Sequence, residues 1–339
     1  MSILKKIFIL IVGLMAMPVL AQNVKITPLG SHPGELCAND RALIFEDPTG
    51  LRLLYDPAHN LVSGDDSRLG DIHIVLLSHM HGDHLGDRRL QDMGAGTCSN
   101  SARVPTTHSM TSEVLAEKNA VLVTTRAMAG FIASELERMG EGSLSVCSQP
   151  VVATVPVEVA CSSRIDMGGV FNATMAEATQ GVEITIVYAS HVNNAPPALL
   201  SVEQRAAAET DGAVFEYGPA TGFVVKFSNG LVVYLSGDTG INSEMRTVIN
   251  EFHQANLAVL NLGNNTGIYL SAPYVINELV EPKSVILTHV NEAATSGGQL
   301  RTESRTYEVI QQLELPAYLA ISERTMSFDG EGHCVAGCD

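Results

Sequence analysis

Short apolar runs at 24–29, 42–45, 51–55 and 72–77, punctuated by Gly, Pro, Asn and Asp, predict a β-rich opening to this chain. Beyond them the apolar period lengthens. Segments 110–118 and 127–139 read as helices on either side of a strand at 121–124, and Gly140 stands where the second helix is expected to stop. Further strands are expected at 182–188, 222–227, 231–235, 257–262, 285–288 and 317–321, with helices at 243–254, 272–279 and 302–313. Asn229-Gly230 falls between two of these strands and predicts a hairpin turn. Strands interleaved with helices make this an α/β chain, and no repeat or low-complexity linker divides it, so one domain is expected. Its least regular part, 94–180, reads as a surface insertion, because Cys98, Cys147 and Cys161 sit there among many Ser, Thr and Gly residues.

The amino-terminal pattern is of another kind. Lys5 and Lys6 precede an apolar run over 7–17, and Val19-Leu20-Ala21 places tolerated residues before Gln22, as in a cleaved secretory leader. A membrane anchor is the competing reading, but the run is short for a span of ~20 residues and Pro18 follows it. Residues 1–21 are therefore expected to be removed, leaving a periplasmic or secreted domain over 22–339 with no stable membrane insertion. Loss of the two lysines takes the formal charge from −17 to −19. A surface so acidic repels phosphate backbones, so the expected partner is a small molecule and not a nucleic acid.

An exported chain with six cysteines is expected to form disulfides. Six cysteines allow fifteen pairings among which the sequence does not choose, with Cys147 to Cys161 and Cys334 to Cys338 as the local candidates. A thiolate metal site at His333, Cys334 and Cys338 is the alternative for the tail, and it lacks a clear fourth ligand.

Candidate chemistry is concentrated in Leu77-Ser78-His79-Met80-His81-Gly82-Asp83-His84-Leu85-Gly86-Asp87, which follows an apolar run. Neutral imidazole and carboxylate are ligands for zinc and its borderline neighbours, and a tight turn lets their side chains converge. Four such groups would be costly to bury without a cation. Three later segments each put one more candidate at the end of an apolar strand: His191, Asp238 and His289. Loops at one end of a sheet bring such residues together although they lie far apart in sequence. His32, His59, His73, His108, His253 and His333 have no spacing partners and are expected to be structural or exposed.

Taken together, His79, His81, Asp83, His84, His191, Asp238 and His289 resemble the signature of the metallo-β-lactamase superfamily, HxHxDH followed by a lone His, a lone Asp and a lone His. Leu54-Tyr55-Asp56-Pro57 and Leu235-Ser236-Gly237-Asp238-Thr239-Gly240 are similar to two further segments of that family. The resemblance implies an αββα sandwich, two mixed β-sheets flanked by helices with metals at one edge. Gly222-Phe223-Val224-Val225 and Leu262-Gly263-Asn264-Asn265-Thr266 are most similar to the branch that contains the ascorbate-phosphate lactonase.

By that resemblance His79, His81 and His191 would hold one divalent cation, Asp83, His84 and His289 a second, and Asp238 would bridge them. Zinc is the expected metal, with manganese or iron as alternatives. Two cations about 3.5 to 4 Å apart lower the pKa of a shared water, which would open a small lactone, ester or cyclic amide. Asp83 would also orient that water or take its proton, and Asp56 would hold a ligand imidazole in one tautomer, unless it only caps the turn before Pro57. Asn193, Asn194, Asn264, Asn265 and Tyr269 are candidates to donate hydrogen bonds to substrate. Zinc β-lactamases generally carry Cys or Ser where Asp238 stands, which lowers that alternative. A mononuclear iron persulfide dioxygenase and a non-catalytic metal-binding protein are the remaining alternatives.

Overall fold

A computed structural model describes residues 23–149, 151–163, 165–263 and 268–339. The leader expected at 1–21, its junction at Gln22, and the candidates Asn264 and Asn265 lie outside the described residues. Two large sheets dominate the rest. In spatial order the first contains Ser145–Val146, Cys161–Ser162, Val121–Val123, Ile74–Leu76, Arg52–Tyr55, Ala42–Glu46, Val24–Leu29, Met326–Phe328 and Cys334–Ala336. The second runs Val152–Val155, Val170–Met175, Val182–Tyr188, Thr221–Lys226, Val232–Leu235, Leu257–Asn261, Ser284–Thr288 and Ala317–Leu319. Both are mixed: Arg52–Tyr55 pairs antiparallel with Ala42–Glu46 and parallel with Ile74–Leu76.

The alternation of side chains along each strand decides the layering. Leu43, Phe45, Leu53, Tyr55, Ile74 and Leu76 share one core with Phe223, Val225, Val233 and Leu235 of the facing sheet. Phe45 stacks on Phe227 across that interface, and Tyr55 meets Phe223 edge-on with ring centroids 6.2 Å apart. The intervening residues Ile44, Leu54, Val75, Leu77 and Leu122 face the other way, into a second core with helices Met110–Lys118 and Arg126–Met139. On the far side, Met245, Ile249, Val275 and Ile276 cover the second sheet. The result is the expected αββα sandwich. Each fully buried Leu, Ile or Val in these layers contributes on the order of 1.5–3 kcal/mol of transfer free energy.

Several expectations are corrected. Segment 94–180 is not a surface insertion. Val121–Val123 lies inside the first sheet between Ile74–Leu76 and Cys161–Ser162, and Val152–Val155 with Val170–Met175 builds the edge of the second. Its short strands, interrupted by Ser, Gly and Pro, hid that role. The helix expected over 302–313 is Arg305–Ile310, because the Ser304 side chain accepts from the Tyr307 N–H and fixes the start there. Helices at Met245–Phe252 and Val275–Val280 are wound wide, with the His253 N–H on the Val248 carbonyl and the Glu281 N–H on the Ile276 carbonyl. Unexpected elements are the helix Val202–Asp211, entered through a reciprocal cap of Ser201 and Gln204, and the strands Met326–Phe328 and Cys334–Ala336.

Disulfides join Cys37 to Cys98, Cys147 to Cys161 and Cys334 to Cys338. The last pairing removes the thiolate reading of the tail. Among the described residues, no helix is long and apolar enough to cross a membrane.

Candidate metal centre

Four strands end at one edge of the sandwich, and each releases its candidate there. Ile74–Leu76 leads to His79, His81, Asp83 and His84, with the latter two on the helical turn Gly82–Leu85. Val182–Tyr188 leads to His191, Val232–Leu235 to Asp238 and Ser284–Thr288 to His289. Short hydrogen bonds fasten the two sheets at this edge: the Ser78 carbonyl accepts from the N–H and hydroxyl of Thr221, and the Gly237 N–H donates to the Tyr55 hydroxyl at 3.0 Å. Gly237 has φ 58°, and a Cβ there would lie 2.4 Å from the Thr221 carbonyl oxygen, so glycine is required for this closure.

All seven candidates converge. Potential ligand atoms of His79, His81 and His191 form one group, those of His79, His84 and Asp238 a second, and those of Asp83, His84 and His289 a third, each within 4.8 Å. The middle group shares His79 with the first and His84 with the third. Asp238 lies at the centre, its carboxylate 3.3 Å from His84 Nε2, 3.4 Å from His289 Nε2 and 3.9 Å from His191 Nε2. His79, His84, Asp238 and His289 are buried. Nε2 of His79, His84 and His289 makes no hydrogen bond, although such atoms are costly to bury unsatisfied. Orphaned nitrogens converging on carboxylates fit a divalent cation, for which imidazole and carboxylate are suitable donors.

Neighbouring groups hold this arrangement in place. Asp56 accepts from the Ser78 N–H at 2.8 Å and hydroxyl at 2.7 Å, and it stands 2.7 Å from His84 Nδ1, which leaves Nε2 turned to the centre. Asn261 donates to Asp238 at 3.0 Å. Arg41, fully buried, is paired with Asp83. The sequence reading missed Arg41 and Asn261. Their signal was a charged residue entering the apolar strand Ala42–Glu46 and an amide ending Leu257–Asn261.

The remaining candidates divide. Asn194 stands in the site, its side-chain oxygen 3.2 Å from His81 Nε2. Asn193 does not serve as a substrate donor, because its side chain is consumed by the Met80 N–H and by the carbonyls of Tyr217, Gly218 and Pro219. The Tyr269 hydroxyl turns to Arg305 and Glu308, so it also departs from the expected role. His59, expected to be structural or exposed, is partly buried and contacts Asp87 at 2.6 Å beside the ligand loop.

Burial pushes the His79 ring well below its usual pKa and keeps it neutral. Burial would raise the carboxyls of Asp83 and Asp238, but for Asp83 the Arg41 guanidinium, and for Asp238 His289 and His84, outweigh it and hold both well below the usual range. Burial also opposes charge on His84, but Asp238 and Asp56 outweigh it and push its pKa up to about 10. A raised basic group contributes stability below its ordinary value of 6.5 and loses it as pH rises through the folded value. The melting temperature of metal-free protein is therefore expected to fall between pH 6.5 and about 10, and added zinc should flatten the profile by replacing the proton. A melting temperature that climbs through this window in metal-free protein would contradict the assignment.

Close approach also matters at His289, since a Cβ on Gly263 would lie 2.4 Å from its Cε1 and 2.5 Å from its Nδ1. Gly263→Ala is expected to displace that ring and weaken cation uptake by about tenfold, measured by competition with a chromophoric chelator. Wild-type affinity in the variant would show that the ring does not need the space.

Comparison with known proteins agrees with this geometry. A family model described as a β-lactamase superfamily domain matches residues 49–290, well over half of the chain. The chain belongs to the metallo-β-lactamase superfamily. Curated relatives within it include a UPF0173 metal-dependent hydrolase of Methanosphaera stadtmanae, 21% identical over 71% of this chain and 77% of the relative. Another metal-dependent hydrolase, from Polynucleobacter asymbioticus, is 24% identical over 76% of this chain and 73% of its own length. Among solved structures, a metallo hydrolase of Ignicoccus hospitalis superposes with a TM-score of 0.55 at 17% identity, covering 91% of this chain and 99% of its own. That likeness establishes the fold. As a member of this superfamily with metal-dependent hydrolases as relatives, the chain is a metallohydrolase.

Proposed function

We propose that this chain is an exported hydrolase with two zinc ions per chain that opens a small lactone, ester or cyclic amide. The observation that carries the reading is the middle group of His79, His84 and Asp238, which joins the two outer triplets into one continuous site. His79, His81 and His191 would hold one cation, Asp83, His84 and His289 the other, with Asp238 shared. Such a pair supplies a water of lowered pKa and polarises the bond under attack.

The chain's own groups do the rest. Asp56 fixes the His84 tautomer with Nε2 inward, Arg41 keeps Asp83 ionised so that it could orient water or accept its proton, and Asn194, 3.2 Å from His81 Nε2, would hold substrate. An aspartate at 238 in place of the Cys or Ser of zinc β-lactamases favours a lactonase-like hydrolase. Export is supported by the leader pattern over 1–21 and by three disulfides, which persist in oxidising compartments.

The test is metal analysis of purified mature protein together with turnover of an acyl-homoserine lactone, a chromogenic cephalosporin, an aryl ester and an aryl phosphodiester. Two zincs with hydrolysis of the lactone or aryl ester are expected. One iron per chain, or two zincs without hydrolysis of any member, would overturn the proposal.

A further inference from the structure

Beside the metal centre lies a cleft of about 570 Å³ whose walls include Asn39, His59, Arg88, Asn100 and Arg103. Two arginines and no carboxylate line it, although the chain carries a formal charge of −17. Arg88 is exposed, and its side chain makes no hydrogen bond or ion pair among the described residues. Arg103 is anchored from behind, with Nε on the His59 carbonyl at 3.2 Å, Nη2 on the Ala38 carbonyl at 3.4 Å and Asp40 at 3.8 Å. Its Nη1 takes no such partner among the described residues, and Arg103 lines the cleft.

This cleft is built, and it lies next to the metal-binding turn. The Cys37–Cys98 disulfide and the Ala38 N–H on the Cys98 carbonyl fasten the hairpin of Gly96–Thr97 and Asn100–Ser101 to the segment that carries Asn39. Asn39 Oδ1 receives Arg41 Nη2 at 3.4 Å, and Arg41 holds Asp83. On the opposite wall His59 contacts Asp87, whose carboxylate packs against Gly82 of the ligand loop. One side chain therefore separates each wall from the metal-binding turn.

The free fork of Arg88 can meet a carboxylate in two parallel hydrogen bonds and Arg103 can add one from Nη1, and a recessed cationic patch in an acidic protein focuses anions onto itself. We infer that this cleft is the subsite for a carboxylate on the substrate, held by Arg88 and Arg103 while the scissile bond lies at the His79 to His289 centre. The inference rests on the hydrolase reading for its chemistry, but not for its binding. In the reaction water adds across the acyl C–O bond, the acyl carbon taking the hydroxyl and the leaving oxygen the proton.

The experiment uses the mature, metal-loaded protein with succinate as the binding probe and two esters, mono-4-nitrophenyl succinate and 4-nitrophenyl acetate. Arg88→Ala is expected to weaken succinate binding about tenfold by calorimetry, Arg88→Glu more, and Arg89→Ala, outside the cleft, not at all. The ratio of kcat/KM for the carboxylate-bearing over the neutral ester is expected to fall by about the same factor in Arg88→Ala, through KM. Succinate that fails to bind wild type, or binds Arg88→Ala equally well, overturns the subsite even when both esters are hydrolysed. Succinate binding that depends on Arg88 while neither ester reacts upholds the subsite and removes the ester reading instead.

Discussion

Asp238→Ala is expected to lower turnover by more than about a hundredfold and to reduce bound zinc from two ions per chain to one or none. Asp238 stands 3.3 Å from His84 Nε2 and 3.4 Å from His289 Nε2, and among the described residues no other carboxylate joins the outer ligand groups. Its loss would also let the His84 pKa fall, since Asp238 is the leading group that holds the proton there against burial. Three measurements read these effects separately: steady-state hydrolysis, metal content by mass spectrometry, and the pH dependence of melting in the metal-free variant. Full turnover with two zincs retained would contradict the bridging role. Asp238→Asn, which preserves shape and the contact with Asn261 but not charge, separates the electrostatic part from packing.

The second large effect is expected at Asp56, which touches no substrate. Asp56→Ala should weaken metal binding by about 10- to 100-fold, as is usual when the group orienting a ligand imidazole is removed. It would also leave the buried Ser78 N–H and hydroxyl without an acceptor, at a cost of about 1–3 kcal/mol of stability. Asp56→Asn restores an acceptor for Ser78 and should recover most of that stability but little of the affinity. The split between chemical denaturation and zinc titration distinguishes the two contributions. Equal recovery of both would mean that Asp56 merely caps the turn before Pro57, which the 2.7 Å contact with His84 Nδ1 argues against.

The centre was legible in the sequence because metal ligation constrains residue type and place at once. Histidine or aspartate directly beyond an apolar strand is a rare combination, and four such strand ends locate one edge of a sandwich. The supporting groups were not legible. Arg41 reads as an ordinary surface arginine until the fold buries it against Asp83, and Asn261 looks like a turn residue until Leu257–Asn261 brings it to Asp238. Asn193 and Tyr269 show the opposite failure. Their donors suit a substrate in sequence, yet in three dimensions backbone carbonyls and the helix Arg305–Ile310 take them first.

The fold followed the same division. Long alternating or continuous apolar runs such as 182–188 and 257–262 declared themselves as strands, since their burial is independent of partners. Two-residue strands like Ser145–Val146 and Cys161–Ser162 carry no period to detect. They exist because the sheet edge begun by Val121–Val123 offers unpaired backbone groups, and the Cys147–Cys161 disulfide holds the two strands side by side. Segment 94–180 therefore looked like an addition to the fold when it supplies strands to both sheets.

In the proposed function, two cations share a single site through Asp238. Native mass spectrometry of the mature protein titrated with zinc, beside the Asp238→Ala variant, tests it most directly. Wild type is expected to fill to two zincs per chain while the variant stops short of two. A wild type that saturates at one zinc, or a variant that fills to two with unchanged affinity, would contradict it.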